Sequence, residues 1–398
     1  MANVAVARLG KAIRFRRKDI GRFAFSGAGE ARTLFITLAK LNPQNTYYVV
    51  GKSDLNRMSE EEKAEIFPNN NVVDVWDNYK DLKDSIENHE FVLSKMAGTH
   101  IDYGVMFGGV ISISLPNKTK QKKDNTKFAK PMACYYNYAS PVVNYLNESK
   151  IPWICVNTDT RYYPVRAEDL LNPEKVIVGM WDTELEAIRR ISFDSEETKI
   201  HKVRSLYSGV ETLFLADEGK VKQDILLQRD RKGLTIFHNQ DGGIDKTKTM
   251  KEYVVVTGLD FTVYGKWKSF PDDPRFKGFL DFDDLHKELQ KSKYTFIIAG
   301  NEVTTATMKL WECLHYGVIP FLHKNYDKDK ILDTMGFPSF LRLENPEDLE
   351  QKINFLDKNP EEYKKILRML KAMLKPEYYT GEHINNEVNR ALEIMKNM

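Results

Sequence analysis

The most constraining feature of this chain is an alternation. Short, unbroken apolar runs of strand length recur along it, separated by segments with helical periodicity. Runs that read as strands are Val4–Arg8, Tyr47–Val50, Val72–Val75, Phe91–Ser94, Val110–Ser114, Trp153–Asn157 and Lys175–Gly179, then Thr235–His238, Phe261–Tyr264, Thr295–Ala299, Ile319–Leu322 and Phe340–Leu343. Helical patterns fall at Gly29–Lys40, Ser140–Asn147, Asp182–Arg190, Thr247–Val256, Asp283–Lys293, Thr305–His315 and Pro346–Leu356. A strand that is apolar throughout must be covered on both faces, and the intervening helices supply the cover. The pattern therefore predicts α/β domains built on parallel sheets.

The alternation pauses over Leu213–Gly233, "LFLADEGKVKQDILLQRDRKG", which is largely polar and ends just before a new strand. This segment reads as a linker between two Rossmann-like halves. The expected division is residues 1–215 and 216–379, with a last amphipathic helix, about Gly381–Met395, in a segment 380–398 that rejoins the first half. A length of 398 residues suits two domains, and 42% hydrophobic with 11% aromatic residues can fill two cores. Two doubly wound sheets would bind ligands at the carboxyl ends of their strands, in a cleft between the halves.

Composition removes several classes. With 29% charged residues and a net charge of +2, the chain carries no global basic field, so any nucleic-acid surface must be local. The three cysteines, Cys134, Cys155 and Cys313, are far apart in apolar surroundings, which fits a reducing compartment better than a disulfide framework. There is no CxxC or HExxH pattern, so no dedicated zinc site is expected. The opening "MANVAVARLGKAIRFRRK" is too short in apolar residues for a signal peptide or a membrane span, and "VAVARL" reads as the first strand.

Strand ends are where chemistry is sought. In "LTIFHNQDGGIDKTKTM" a strand enters a loop with Gly242 and Gly243 and then a helix, and Lys246 and Lys248 add positive charge. Backbone N–H groups of such a loop can hold a diphosphate, although Asp241-Gly242-Gly243 also reads as a plain turn. In "AGNEVTTATMKLWECLHYGVIPFLHK" a strand end leads to a helix carrying Lys309 and Glu312 on one face. The plain alternative is a surface ion pair, worth a few tenths of a kcal/mol. The apolar neighbours favour a site in which Glu312 accepts ribose hydroxyls and Lys309 meets phosphate.

In "FKGFLDFDDL", Asp281-Phe282-Asp283 matches a short acidic metal-holding pattern, but an acid opening a helix is explained by capping. Phe279 and Leu280, just before it, can flank a nucleobase. Glu30, in the Gly-rich "FSGAGEARTLF", sits where a helix start favours an acid, and the same position faces the expected cleft. In "ICVNTDTRYYP" an apolar strand ends in Asp159, which is either a working carboxylate or a turn residue. Two basic runs occur in the first half, Lys11, Arg14, Arg16, Arg17 and Lys18, and Lys118, Lys120, Lys122, Lys123, Lys127 and Lys130. Each alone reads as a solvated surface; together they suggest a phosphate-backbone contact.

Taken in order, these pieces resemble the DNA β-glucosyltransferases of T-even-type bacteriophages, which have the GT-B fold. "ICVNTDTRYYP" is similar to that family's strand ending in Thr-Asp-x-Arg, and "AEDLLNPEKVIV" to the segment after it. "VTGLDFTVYG" and "RFKGFLDFDDL" resemble its second-domain strand and loop, "TMKLWECL" its Trp-Glu helix, and Phe107–Gly109 its Phe-Gly-Gly. The resemblance implies an inverting transfer from a UDP-sugar (glucose, or another sugar such as a pentose) to the hydroxymethyl group of a modified pyrimidine in duplex DNA. It implies Asp159 as general base, Glu30 and Glu211 as sugar-orienting carboxylates and Glu312 as the ribose contact. It also implies a monomer working in the cytoplasm of an infected host, with no membrane partner. Arg161 falls on the family's arginine and is grouped with the DNA-contacting residues. A divalent ion, Mg2+ or Mn2+, can assist the diphosphate without a dedicated protein metal site. The family's helix arginine is replaced by Lys309, one phosphate-loop arginine by Lys246, and another by Gly242; lysine keeps charge but loses the bidentate fork. The competing classes are a GT-B enzyme with a non-DNA acceptor and a non-catalytic nucleotide-sugar or DNA-binding module.

Overall fold

A computed structural model describes residues 1–8, 12–16, 27–51, 53–69, 71–75, 94–107, 149, 151–157, 176–179, 233–240, 244–257, 259–280, 282–298, 308–327 and 330–396. These residues fall into two compact units. One takes the described residues up to 179 together with those from 381 onward, and the other takes 233–380.

In the first unit, β1 (Asn3–Arg8) is followed by α1 (Gly27–Leu41), β2 (Thr46–Val49), α2 (Glu60–Ile66), β3 (Val72–Asp74), β4 (Tyr103–Phe107), β5 (Trp153–Asn157) and β6 (Val176–Gly179). The six strands form one parallel sheet in the order β3-β2-β1-β4-β5-β6. Val4, Ala5, Val6 and Ala7 of the central strand are buried, as are Val105, Met106, Phe107, Trp153 and Ile154 of its neighbours. The chain builds outward from β1 through β2 to β3, then returns to the other side of β1 with β4. That reversal is the topological switch point, where Arg8 pairs in register with Phe107. α2 is started by a capping box: Ser59 Oγ accepts from the Glu62 N–H at 3.2 Å, and Glu62 accepts from the Ser59 N–H at 3.0 Å.

The second unit runs β7 (Leu234–Gln240), α3 (Ile244–Met250), β8 (Phe261–Lys266), α4 (Phe282–Lys291), β9 (Tyr294–Ile297), α5 (Met308–Tyr316), β10 (Ile319–Leu322), α6 (Pro346–Lys358), α7 (Pro360–Ala372) and the short α8 (Glu377–Thr380). Its four parallel strands lie in the order β10-β9-β7-β8. Every residue of β9 and β10 is buried. β8 is placed on one side of β7 and β9 on the other, so the switch point lies between β7 and β9. The outer edge of β8 is closed by 275–278, whose backbone bonds to Val263 and Gly265. The chain then returns to the first unit as α9 (Glu382–Lys396), which packs on α1, β5 and β6. Asn42 Nδ2 donates to Asn385 Oδ1 at 2.8 Å across that contact.

Several expectations need correcting. Phe340–Leu343 is not a strand: Ser339–Leu341 forms a tight helical turn, and Arg342 makes one isolated bridge with Leu322. The run is apolar because Leu341 and Leu343 are both fully buried from an irregular segment. Arg342 between them donates to Asp327 at 2.5 Å and Asp333 at 2.7 Å. The helix expected over Thr247–Val256 is α-helical only to Met250 and widens into a π turn over Lys251–Val255. There Tyr253 stacks on Phe296 with ring centroids 5.0 Å apart. Ser94, expected to end a strand, is helical. β4 lies at Tyr103–Phe107, where no strand was expected; Val110–Ser114 and the helices Ser140–Asn147 and Asp182–Arg190 lie outside the described residues.

Candidate functional site

The second unit brings two expected ligand-binding lysines together. β7 and β9 are adjacent, and the helices that follow them, α3 and α5, carry Lys246 and Lys309 in their opening described turns. Both side chains are half-buried. Burial pushes the Lys309 ammonium down to about 8; Cys313 and Glu312 oppose that shift, and the positive charge of Lys246 adds to it. An ammonium half-removed from water beside a second cation is a site that gains by admitting an anion. Glu312 is half-buried one turn beyond Lys309, on the same face of α5. Cys313, fully buried behind them, has its thiol pushed up by burial. By contrast Lys248 is exposed and pairs with Glu252 at 3.7 Å, an ordinary helix-surface pair.

Phe279 and Leu280 divide. Leu280 packs on the core cluster of Leu285, Leu289, Cys313, Tyr316 and Val318. Phe279 is 43% exposed. The segment that carries them turns at Gly278, whose φ of 79° is left-handed and favours glycine.

In the first unit Glu30 lies in the first turn of α1, and its side chain lies outside the described residues. The described part of β5 ends at Asn157, two residues before Asp159; Asp159 and Arg161 themselves lie outside, as do Glu211, Gly242, Gly243, Asp281, Lys11, Arg17, Lys18, Lys118, Lys120, Lys122, Lys123, Lys127 and Lys130. Two of the basic residues are placed. Arg14 and Arg16 alternate with Ile13 and Phe15, both fully buried, so the segment is stapled down rather than loose. Ile13 bridges to Ser53, and Arg32 Nε donates to the Phe15 carbonyl at 2.6 Å. Arg16 Nε lies 3.6 Å from Glu62, which offsets part of its charge.

Two residues with structural claims on these sites were not singled out from sequence. Arg8 is buried at the carboxyl end of β1, where Nη1 donates to the Ala12 carbonyl at 3.3 Å. Asp54 is completely buried and accepts the N–H groups of Phe15 and Arg16. A charged residue that ends an apolar run was the available signal for Arg8; a single carboxylate in "KSDLN" offered none for Asp54.

Among the described residues no group of three or more His, Cys, Asp or Glu is placed to hold a metal ion. No helix among them is long and apolar enough to cross a membrane.

No family model and no curated protein matches the sequence. Solved structures do match the fold. The DNA modifying enzyme beta-glucosyltransferase, solved with and without uridine diphosphoglucose, is similar at a TM-score of 0.58 and 12% identity, covering 98% of this chain and 99% of that one. T4 phage BGT in complex with UDP and Mn2+ is similar at a TM-score of 0.51 and 11% identity, covering 99% and 98%. A glycosyltransferase involved in avilamycin A biosynthesis is similar at 0.54 and 9% identity, covering 100% and 99%. The chain has the α/β GT-B fold that these glycosyltransferases share.

Proposed function

We propose that this chain is an inverting glycosyltransferase that moves a sugar from a UDP-sugar to the hydroxymethyl group of a modified pyrimidine in duplex DNA. The observation that carries the donor half is the convergence of Lys246 and Lys309 at the switch point of a GT-B second unit. Similarity over nearly the full length to a DNA-modifying beta-glucosyltransferase supports the acceptor half.

In this reading the diphosphate lies against Lys246, Lys309 and the backbone N–H groups of Gly242 and Gly243. Glu312 accepts the ribose hydroxyls, and the exposed ring of Phe279 covers the uracil, with Leu280 backing it from the core. Glu30 and Glu211 orient sugar hydroxyls. Asp159 takes the proton from the acceptor hydroxyl as its oxygen attacks the anomeric carbon from the face opposite UDP; the bond from that carbon to the phosphate oxygen breaks, and UDP leaves with the electron pair. The geometry required of Asp159 is hydrogen-bond reach of the acceptor hydroxyl. Fixed positive charge at the departing diphosphate is the kind of preorganised stabilisation that supplies the largest single catalytic contribution. An acceptor base inside a duplex must be flipped out to react. Arg14, Arg16, Arg17, Lys18, Lys118, Lys120, Lys122, Lys123 and Arg161 would contact the DNA, and such binding weakens steeply with salt. The enzyme would act as a monomer in the cytoplasm of an infected host cell. A bound Mg2+ or Mn2+ would add charge at the diphosphate.

A second reading, a GT-B enzyme with a non-DNA acceptor, is favoured by the similarity to the avilamycin glycosyltransferase. One experiment separates them: incubate the protein with a panel of UDP-sugars and with hydroxymethylated or unmodified duplexes, and read the nucleosides by mass spectrometry. A mass increase of one sugar confined to hydroxymethylated DNA is expected. UDP release without any modified nucleoside would overturn the DNA acceptor.

A further inference from the structure

The basic segment 12–16, which follows β1, is held at one residue by three elements at once. Phe15 is fully buried. Its N–H donates to Asp54 at 2.7 Å, its ring meets Phe67 edge-on at 5.5 Å, and its carbonyl accepts from Arg32 Nε at 2.6 Å. Asp54 follows β2, Phe67 closes α2, and Arg32 sits in the second turn of α1. Ile13 is also fully buried and bridges to Ser53 in the parallel sense. Arg14 and Arg16, both half-buried, therefore flank a single pinned residue.

The three attachments lead to different places. Asp54 and Phe67 tie the segment to the body of the first unit. Arg32 ties it to α1, whose first turn carries Glu30 two residues earlier. α1 has anchors of its own, since Ala31, Leu34, Phe35 and Leu38 are all buried along it. A bond from a guanidinium to a carbonyl is charge-assisted, and the planar head group donates in fixed directions. It sets both the distance and the angle between the segment and the helix. Without it the helix would keep its place, and the segment would be freer to shift against it.

We propose that Arg32 is a positioning residue that fixes the basic segment 12–16 against the helix bearing Glu30, so that phosphate contacts made by Arg14 and Arg16 deliver the acceptor nucleotide in register with the sugar-orienting carboxylate. The inference rests on the DNA-acceptor reading above and deepens it. In this role Arg32 touches neither sugar nor base and acts through the Phe15 carbonyl. Phosphate contacts set a protein's register on a duplex. A displacement of about 1 Å at a reacting centre can cost about 100-fold in rate. Arg14 and Arg16 supply the attraction, and Arg32 decides where that attraction brings the base.

Transfer kinetics on a hydroxymethylated duplex test this. Arg32→Met removes the donor and the charge at similar length. It should lower kcat for DNA about 10- to 100-fold, while KM for the UDP-sugar stays at the wild-type value. The slope of log DNA affinity against log salt should also be unchanged, because no phosphate contact is lost. A slope reduced by about 0.9 would make Arg32 itself a phosphate contact and overturn the positioning role. Arg32→Lys keeps a charged donor without the planar fork and should give an intermediate kcat. It carries the test if Arg32→Met does not fold, and wild-type kcat in it then overturns the role. In a cycle with Arg14→Ala the two losses in kcat should fall short of additive, and full additivity would break the route through the segment. Wild-type transfer that a folded Arg32→Met leaves unchanged overturns this role while the DNA acceptor stands. Absence of transfer by the wild-type protein to any hydroxymethylated duplex overturns the acceptor reading itself, and this role with it.

Discussion

Asp54, fully buried, accepts the backbone N–H of Phe15 at 2.7 Å and that of Arg16 at 3.4 Å, and so ties a basic segment to the sheet-bearing body of the first unit. The Phe15 ring completes the attachment by meeting Phe67 edge-on at 5.5 Å. Replacing Asp54 by Ala leaves the Phe15 N–H without its acceptor in the interior, which should cost about 2–3 kcal/mol in urea unfolding. Asp54→Asn keeps one acceptor oxygen and should cost less. If residues 12–16 present Arg14 to DNA, the alanine variant should also lose affinity for duplex DNA in a retardation assay while UDP binding stays intact. Equal DNA affinity in a folded Asp54→Ala protein would remove this segment from the interface.

Asp159→Asn should lower transfer to hydroxymethylated DNA by about 100- to 10,000-fold, the usual range for loss of a general base. UDP affinity should remain close to wild type, because the proposed UDP contacts Lys246, Lys309 and Glu312 belong to the second unit. Single-turnover transfer at the wild-type rate in this variant would reassign the base.

Phe279 separates stability from binding. It is 43% exposed and outside the core, so Phe279→Ala should change unfolding stability by about 1 kcal/mol or less. If the ring covers the uracil, the same change should raise the Kd for UDP about tenfold, in line with roughly 1–3 kcal/mol for stacking one base. Leu280→Ala should show the reverse balance, because Leu280 packs on the core. Similar UDP affinities for wild type and Phe279→Ala would place the base elsewhere.

His323 should make the second unit acid-sensitive. It is buried between the rings of Tyr253, 5.2 Å away, and Phe296, 6.3 Å away, and Nδ1 accepts from the Asn325 N–H at 3.2 Å. Burial, with Lys324 adding to it, lowers its pKa to about 4, so the native protein holds it neutral. The unfolded chain binds a proton at about pH 6.5, whereas the folded one resists down to about 4, so stability should be complete above 6.5 and decline as pH falls through that window. Between pH 7 and pH 5 this one residue should account for about 1–2 kcal/mol of lost stability, and His323→Phe should flatten the decline. Equal pH slopes for the two proteins in urea unfolding would refute the assignment.

The sequence made much of the architecture readable, for identifiable reasons. β5 at Trp153–Asn157 and β10 at Ile319–Leu322 fall where the apolar runs put them, because strands of a parallel sheet covered on both faces are apolar throughout. β4 escaped notice because Gly104 interrupts its apolar pattern, although the strand is paired on both sides. The Phe340–Leu343 run misled because burial alone does not distinguish a strand from a packed turn. Two helices went unread despite good signals: Ser59 with Glu62 forms the cap of α2, and Pro360 followed by two acids opens α7. The pairing of Lys246 with Lys309 could be anticipated as two separate strand-end lysines. The effect of Lys246 on Lys309 could not, since it depends on β9 lying beside β7 rather than beyond β8. Asp54 was invisible because its partners are backbone groups nearly forty residues away.

The return of α9 to the first unit has a consequence for how the molecule comes into being. Ile384, Val388 and Ala391 of this helix are buried, and they belong to a segment synthesised after the whole of 233–380. Domains tend to fold as units while a chain emerges from the ribosome. Here the second unit, continuous over its described length, can close first, while the first unit, which begins the chain, waits for residues 382–396 to cover β5 and β6. The order of completion is the reverse of the order of translation.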